Sequence, residues 1–210
     1  MRILCIGDSN TWGYNPENGQ RLEKRWTRLL REMLPEDEII EEGLCGRTLI
    51  SMDREKRERC GIDSLNVLLM SHMPVDLVLV MLGTNELKTV FHTNARFIAR
   101  GVREFIRTIK NPFLWEKAYI PRVLVISPIL LRDDIREREE FYAGFDENSI
   151  EQSRHMAKEI EKVCGTYEVD FMNAADYAKA SGIDGIHMDE ENHRELAKAV
   201  CEKINELYKA

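Results

Sequence analysis

Long apolar runs are absent from this sequence of 210 residues. The longest extends only from Leu77 to Leu82, far short of the roughly 18 residues that a membrane-spanning helix needs. After Met1 and Arg2 only four apolar residues follow, whereas a secretory signal needs an apolar segment of roughly 7–15 residues. We therefore expect a cytoplasmic protein that has no membrane partner.

Cysteine is scarce and irregularly placed. The sequence has five, an odd number, with no CxxC pair and no cysteine–histidine cluster at zinc-ligand spacing. These are Cys5, Cys45, Cys60, Cys164 and Cys201. The pattern argues against a disulfide framework and a zinc site, and it predicts reduced thiols. We expect neither a metal nor an organic cofactor.

An excess of positive charge is also missing. The chain has 30 lysines and arginines against 37 aspartates and glutamates, a net charge of -7. This balance disfavours nucleic acid and anionic membranes as partners. Apolar residues make up 43% of the sequence and charged residues 32%, and no repeat or linker interrupts it. We expect a single globular domain over residues 1–210.

Apolar runs typical of strands alternate with segments that have helical periodicity. The predicted strands are 2–6, 38–43, 75–82, 123–129 and 168–174. The predicted helices are 21–33, 62–70, 93–110, 147–164 and 190–208. The runs at 75–82 and 123–129 are continuously apolar, as in strands buried on both faces. The alternation predicts an α/β fold with a parallel sheet covered by helices on both sides.

Polar stretches follow four of these strands, where parallel strands present their ligand-binding edge. They are GDSN (7–10), GLCGRT (43–48), GTNE (83–86) and SPIL (127–130), and DGIH (184–187) precedes the last helix. Each stretch alone reads as an ordinary turn. Together they predict one site at the carboxyl edge of the sheet.

Ser9 in GDSNTWGY has two interpretations. Asp8, Ser9 and Asn10 are all good N-cap residues, so the stretch suits a plain strand-to-helix turn. Alternatively, Ser9 is a nucleophile, which needs a base to accept its proton. His187 is the candidate base, and Asp184, three residues earlier, is the candidate partner that orients the imidazole. The competing interpretation of Asp184 is a helix N-cap.

A tetrahedral intermediate also needs hydrogen-bond donors for its oxyanion. Asn85, directly after a buried strand, is the candidate side-chain donor. The backbone N–H groups of Ser9 and Gly46 are the other two candidates. Taken one at a time, Asn85 is explained as a turn residue and Gly43 and Gly46 as loop residues. Taken together, these simple explanations account poorly for the pattern.

The stretches GDSN, GLCGRT, GTNE and DGIH resemble the four blocks of the SGNH hydrolases, also called GDSL-type esterases and lipases. GDSNTWGY, EEGLCGRT and MLGTNE are most similar to the arylesterase and acyltransferase branch, which acts on short acyl esters. The resemblance implies a flavodoxin-like three-layer α/β/α fold with about five parallel strands. It implies Ser9 as nucleophile, His187 as base and Asp184 as its partner.

The same resemblance implies an oxyanion hole made by the Ser9 and Gly46 N–H groups and the Asn85 amide. Asn10 departs from the leucine in the family name, a position that varies within the family. The glycine of the second block is either Gly43 or Gly46, and we prefer Gly46, which directly precedes Arg47 and Thr48.

Three residues near these motifs are candidates for substrate contact: Asp8, Trp12 and Arg47. Trp12 either walls a narrow acyl pocket or packs in the core. Arg47 contacts a polar substrate or, as we favour, pairs structurally. The remaining histidines, expected at the surface or at helix ends, are His72, His92, His155 and His193. Segments 111–121 and 131–146 either overhang the site or are surface loops used for subunit contact.

The leading hypothesis is a serine esterase that cleaves short, acetyl-type esters through an acyl-enzyme, with acyl transfer when another alcohol replaces water. Its partner is a small-molecule ester, and homo-oligomers are compatible with the sequence. The alternative is a non-catalytic binding module for small molecules on a flavodoxin-like fold.

Overall fold

The computed structural model describes residues 1–115, 119–137 and 144–209, and its centre is a five-stranded parallel sheet. The strand order is β2-β1-β3-β4-β5. The strands are β1 (Arg2–Gly7), β2 (Glu38–Gly43), β3 (Leu77–Met81), β4 (Arg122–Ser127) and β5 (Asp170–Asn173). The chain runs outward from β1 to β2 and then returns to β3 on the other side of β1. This reversal is the topological switch point at which such sheets bind ligands.

Helices cover both faces of the sheet. They are α1 (Ser9–Trp12), α2 (Trp26–Met33), α3 (Gly61–Ser71), α4 (Ala95–Ile109), α5 (Glu147–Tyr167) and α6 (Glu190–Lys209). Alternate residues of each strand point to opposite faces, so the sheet separates two apolar clusters. Leu4 and Ile6 of β1 join the cluster on the side of α3, α4 and α5. Ile3 and Cys5 join the cluster on the side of α2 and α6. The predicted three-layer fold is confirmed.

The helix predicted over 21–33 begins only at Trp26. The segment before it folds back on the residues that follow α1: the Leu22 N–H donates to the Gly13 carbonyl at 2.7 Å. Arg21 forms an isolated antiparallel bridge with Tyr14. Leu22 is buried in this extended arrangement. Its apolar spacing therefore reflects tertiary packing, which periodicity alone cannot separate from a longer helix.

One of the histidines expected at the surface or at helix ends is at a helix end without being at the surface. His193 lies in the first turn of α6, but it is fully buried, and its Nδ1 accepts the Trp26 N–H at 3.3 Å. Burial lowers the pKa of His193 to about 3, so the ring is neutral at physiological pH. A helix that packs its first turn against α2 leaves no room for solvent at this position.

Parts of the two segments expected to overhang the site, residues 116–118 and 138–143, lie outside the described residues. In the described part of the chain, none of the helices combines the length and the apolar character needed to cross a bilayer.

Candidate active site

The turn after β1 places Ser9 at the carboxyl edge of the sheet. Asp8 caps α1, its carboxylate accepting the Asn10 N–H at 3.0 Å, and Ser9 is the first residue of that helix. Ser9 is 8% exposed and lines a cavity of about 390 Å³. Capping and presentation of a hydroxyl are therefore both present in GDSN, on neighbouring residues.

His187 connects Ser9 to Asp184. Its Nε2 lies 2.8 Å from the Ser9 Oγ, and its Nδ1 lies 2.5 Å from Oδ2 of Asp184. The three residues come from opposite ends of the chain, since Ser9 and His187 are 178 positions apart. The sheet topology brings together the three side chains that the motifs singled out.

The carboxylate of Asp184 has two structural roles. Its Oδ1 accepts the backbone N–H groups of Ile186 and His187, each at 2.9 Å, while Oδ2 holds the imidazole. Burial alone raises the pKa of Asp184, but the hydrogen bonds and charge of His187 outweigh it, and the pKa lies below its ordinary value. The N-cap interpretation of Asp184 is wrong, because α6 begins only at Glu190 and Asp189 precedes it. Asp184 instead holds a turn and orients His187, and it stays ionised at neutral pH.

Asn10, which the sequence marked as a candidate N-cap and as a departure from the leucine of the family name, is also a site residue. Its Nδ2 donates to the Ile186 carbonyl at 3.3 Å, and its Oδ1 accepts the Met188 N–H at 3.0 Å. The side chain is buried, and it ties α1 to the residues on either side of His187. A polar residue directly after the candidate nucleophile is the only sequence signal of this contact.

Gly46 and Asn85 lie together on another side of the cavity. Gly46 has φ of +82°, a left-handed conformation that favours glycine, and the guanidinium of Arg59 lies over it, 2.7 Å from where a Cβ would be. Gly43 instead ends β2, where a Cβ would overlap with the backbone of Trp12. The Asn85 amide donates one hydrogen to the Arg47 carbonyl at 3.1 Å, which orients the group. Of the two candidate glycines, Gly46 is the one at the cavity.

None of the three candidates for substrate contact is among the described residues that line the cavity. The Trp12 ring lies under the guanidinium of Arg21, 5.6 Å from its centroid. Arg47 is buried and donates to the carbonyls of Gly7 and Glu42, so its role is structural. Asp8 is buried beneath α1, and burial raises the pKa of its carboxyl to about 6.

Other side chains take their place around the cavity. The Tyr14 ring packs against His187 with centroids 4.3 Å apart, and Phe145 adds a second aromatic wall. Phe145 belongs to the segment 131–146, so part of that segment does reach the site. Arg59 and Lys88 also line the cavity. None of these four was identified as a site residue from the sequence: Tyr14 ends the stretch GDSNTWGY but was not singled out, and the other three lie outside the motifs.

Glu86 supports the loop that carries Gly46. It is fully buried, and its Oε1 accepts the backbone N–H groups of Leu49 and Ile50. Burial raises the pKa of Glu86 to about 7. The last residue of GTNE thus connects two of the motif loops.

The raised pKa of Glu86 predicts a pH-dependent stability. The folded protein holds this proton more tightly than the unfolded chain, so the contribution is complete below the ordinary pKa of 4.5 and is lost as pH rises through about 7. We expect Glu86→Gln, which keeps the accepting oxygen, to remove that loss. Between about pH 5 and about pH 8 the wild type should lose roughly 1–3 kcal/mol more unfolding free energy than the variant, since one pKa unit is about 1.4 kcal/mol.

Urea unfolding at the two pH values measures this difference. Glu36→Gln, at an exposed position, is the matched control and should follow the wild type. Parallel pH profiles for the wild type and Glu86→Gln would show that Glu86 does not titrate with folding.

The fold and the site together define a class of protein. A parallel α/β sheet that presents a hydrogen-bonded serine, histidine and aspartate beside a cavity is the architecture of a serine hydrolase. Residues 5–195 match the model of the GDSL-like lipase/acylhydrolase family. The chain belongs to this family, as the four motif blocks indicated, and it is a carboxylic ester hydrolase. The alternative of a non-catalytic binding module is not supported.

Two solved esterase structures are closely similar over nearly the whole chain. A carbohydrate acetylesterase from Sinorhizobium meliloti is 32% identical, with a TM-score of 0.91 over 99% of this chain and 99% of its own. The aryl esterase of M. smegmatis is 33% identical, with a TM-score of 0.91 over 98% of this chain and 99% of its own. A comparison with curated protein sequences found no match.

Proposed function

We propose that this protein is a serine esterase that hydrolyses short, acetyl-type esters through a Ser9–His187–Asp184 triad and an acyl-enzyme. The observation that carries the proposal is the continuous hydrogen-bonded chain from the Ser9 Oγ through both ring nitrogens of His187 to the carboxylate of Asp184. This is the arrangement that a hydroxyl needs to become a nucleophile at neutral pH.

In the proposed mechanism His187 removes the proton of Ser9 as its Oγ attacks the ester carbonyl. The resulting oxyanion is stabilised by the backbone N–H groups of Ser9 and Gly46 and by the free hydrogen of the Asn85 amide. His187 then protonates the departing alcohol, and a water molecule releases the acyl group by the same steps. When a second alcohol takes the place of water, the product is a new ester.

The size and lining of the cavity support a small substrate. Its volume of about 390 Å³ lies near the lower end of ligand pockets, which span roughly 300–1,000 Å³. Tyr14, Phe145 and Ile186 give it an apolar wall of limited extent. The two similar structures, a carbohydrate acetylesterase and an aryl esterase, support the same substrate range.

Trapping of the acyl-enzyme tests the proposal. Rapid acid quenching during hydrolysis of p-nitrophenyl acetate should leave one acetyl group on the peptide that contains Ser9, found by mass spectrometry. Turnover of the octanoate ester should be much slower because the cavity is small. Turnover without acylation of Ser9, or an acetyl group on another residue, would overturn the proposed mechanism.

Removal of the Asn85 donor should slow the chemical step. We expect Asn85→Ala to lower kcat for p-nitrophenyl acetate by about 10²–10³-fold, the usual effect of losing one oxyanion donor. KM should change little, because the donor acts mainly on the charged intermediate. Steady-state kinetics, with thermal unfolding to verify that the loss of the Arg47 contact has not unfolded the loop, provide the measurement. A wild-type kcat would exclude Asn85 from the oxyanion hole.

A further inference from the structure

Two basic side chains line the cavity beside the candidate nucleophile. Arg59 ends the short 3₁₀ turn Arg57–Arg59, and Lys88 follows the 3₁₀ turn Asn85–Leu87. Both side chains are half-buried. The acidic net charge of the whole chain therefore does not describe the local charge of the site.

Both cations lie on the side of the cavity formed by Gly46 and Asn85. The guanidinium of Arg59 lies over Gly46, where a Cβ would be 2.7 Å from its Cζ. The backbone N–H of Lys88 donates to the Asn85 carbonyl at 3.3 Å, so Lys88 belongs to the turn that carries the Asn85 amide. Any ester that reaches Ser9 therefore comes close to two positive charges.

Within the described parts of the chain, neither cationic group has a hydrogen-bond or ion-pair partner. Other half-buried or buried arginines do have one: Arg25 pairs with Glu41 at 2.6 Å, and Arg132 pairs with Asp134 at 2.8 Å. Burial and the nearby charge of Arg59 lower the pKa of Lys88, whereas Asp8 and Asp53 raise it. Asp8 is itself deeply buried, and it forms no ion pair with either cation among the described residues.

We propose that Arg59 and Lys88 form an anion-binding subsite and that the natural substrate is an ester that carries a carboxylate or another anionic group. This inference rests on the esterase function proposed above and specifies its substrate class. A guanidinium presents a planar pair of N–H donors that matches a carboxylate, and the ammonium adds a point charge beside it. A ligand anion would supply the counter-charge that the described residues do not provide.

The anionic group can belong to the acyl part or to the alcohol part of the ester, and two matched pairs of substrates distinguish these. The acyl pair is mono-4-nitrophenyl adipate and the same ester with a terminal carboxamide. The alcohol pair is 4-acetoxybenzoate and 4-acetoxybenzamide. In each pair the size is nearly constant and only the charge changes, so the ratio of kcat/KM values isolates the effect of the anion.

The ratio is measured in the wild type, in Arg59→Gln, in Lys88→Gln, in the double variant that combines these two, and in Arg59→Lys. We expect the wild type to prefer the anionic member of at least one pair, and each glutamine variant to lower that preference by about 10-fold, as expected for a charged hydrogen bond. Arg59→Lys keeps the charge and should retain part of the preference. Arg57→Gln, at an exposed position in the same turn, should leave the ratio unchanged.

Added salt should weaken the preference only in part, because half-buried charges are screened much less than exposed ones. Equal kcat/KM values within both pairs, or a preference that persists when both residues are replaced, would overturn the subsite while leaving the esterase intact. Failure of the wild type to hydrolyse p-nitrophenyl acetate would overturn the proposed function and this inference with it.

Discussion

Replacing Ser9 with alanine is expected to lower kcat for p-nitrophenyl acetate by about 10⁶-fold, the loss typical of removing the nucleophile of a catalytic triad. Alanine removes the Oγ that lies 2.8 Å from His187, and no other hydroxyl occupies that position in the triad. The fold should persist, because the cap of α1 is made by Asp8. Hydrolysis rates at neutral pH, with circular dichroism of the same samples, measure both effects.

Ser127 provides the matched control for this substitution. It is a buried serine at the end of β4, at the same edge of the sheet, and its hydroxyl has no hydrogen-bond partner in the described part of the chain. Ser127→Ala should therefore keep the wild-type rate. Activity retained in Ser9→Ala would mean that GDSN is only a helix cap and that the chemistry takes place elsewhere.

Replacing Asp184 with asparagine is expected to lower kcat by about 10⁴-fold while the fold remains intact. The asparagine oxygen can still accept the N–H groups of Ile186 and His187, so the local turn is preserved. What is lost is the negative charge beside Nδ1, which selects the productive tautomer and stabilises the imidazolium that forms when Ser9 is deprotonated. Measurement of kcat tests the loss of catalysis, and the thermal unfolding midpoint tests whether the fold is kept.

Asp189→Asn is the control for replacing a carboxylate that accepts a backbone N–H group. The Asp189 carboxylate accepts the Asn192 N–H at 2.9 Å, the same three-residue spacing by which Asp184 accepts the His187 N–H. This variant should keep the wild-type kcat. A similar rate for Asp184→Asn and the wild type would reduce Asp184 to a turn-forming residue.

Much of the fold could be predicted from the sequence because local patterns carried the information. Continuous apolar runs mark β3 and β4 as strands buried on both faces, and the structure confirms both, with bounds shifted by one or two residues. The start of α2 was misplaced because Leu22 is buried by a tertiary contact at a position that also fits helical spacing. Apolar periodicity indicates which residues are buried, but it does not show whether they lie in a helix or in an extended segment.

The residues of the candidate site likewise fall into those that local motifs indicated and those that only the structure showed. Ser9 and Asn85 lie in short motifs directly after strands, and Asp184 and His187 lie in a motif before the last helix, so the sequence could place all four at one edge of the sheet. Trp12 and Arg47 lie in those same motifs, yet the Trp12 ring contacts Arg21 and the Arg47 guanidinium donates to a backbone carbonyl. Proximity in sequence to a functional residue does not determine which way a side chain points. Arg59 and Lys88 were missed because turns outside the motifs bring them to the cavity, and Tyr14 because nothing in its motif shows that its ring packs against His187.

The sequence by itself determined the layer architecture, the family and the residue types of the site, because burial patterns and motif spacing are local properties. Only the tertiary structure decided that Asn10 holds the segment around His187 and that Gly46 rather than Gly43 meets the cavity. It also decided that two cations without partners among the described residues lie beside Ser9. These features depend on distances between residues far apart in the chain, and those distances exist only once the sheet has assembled.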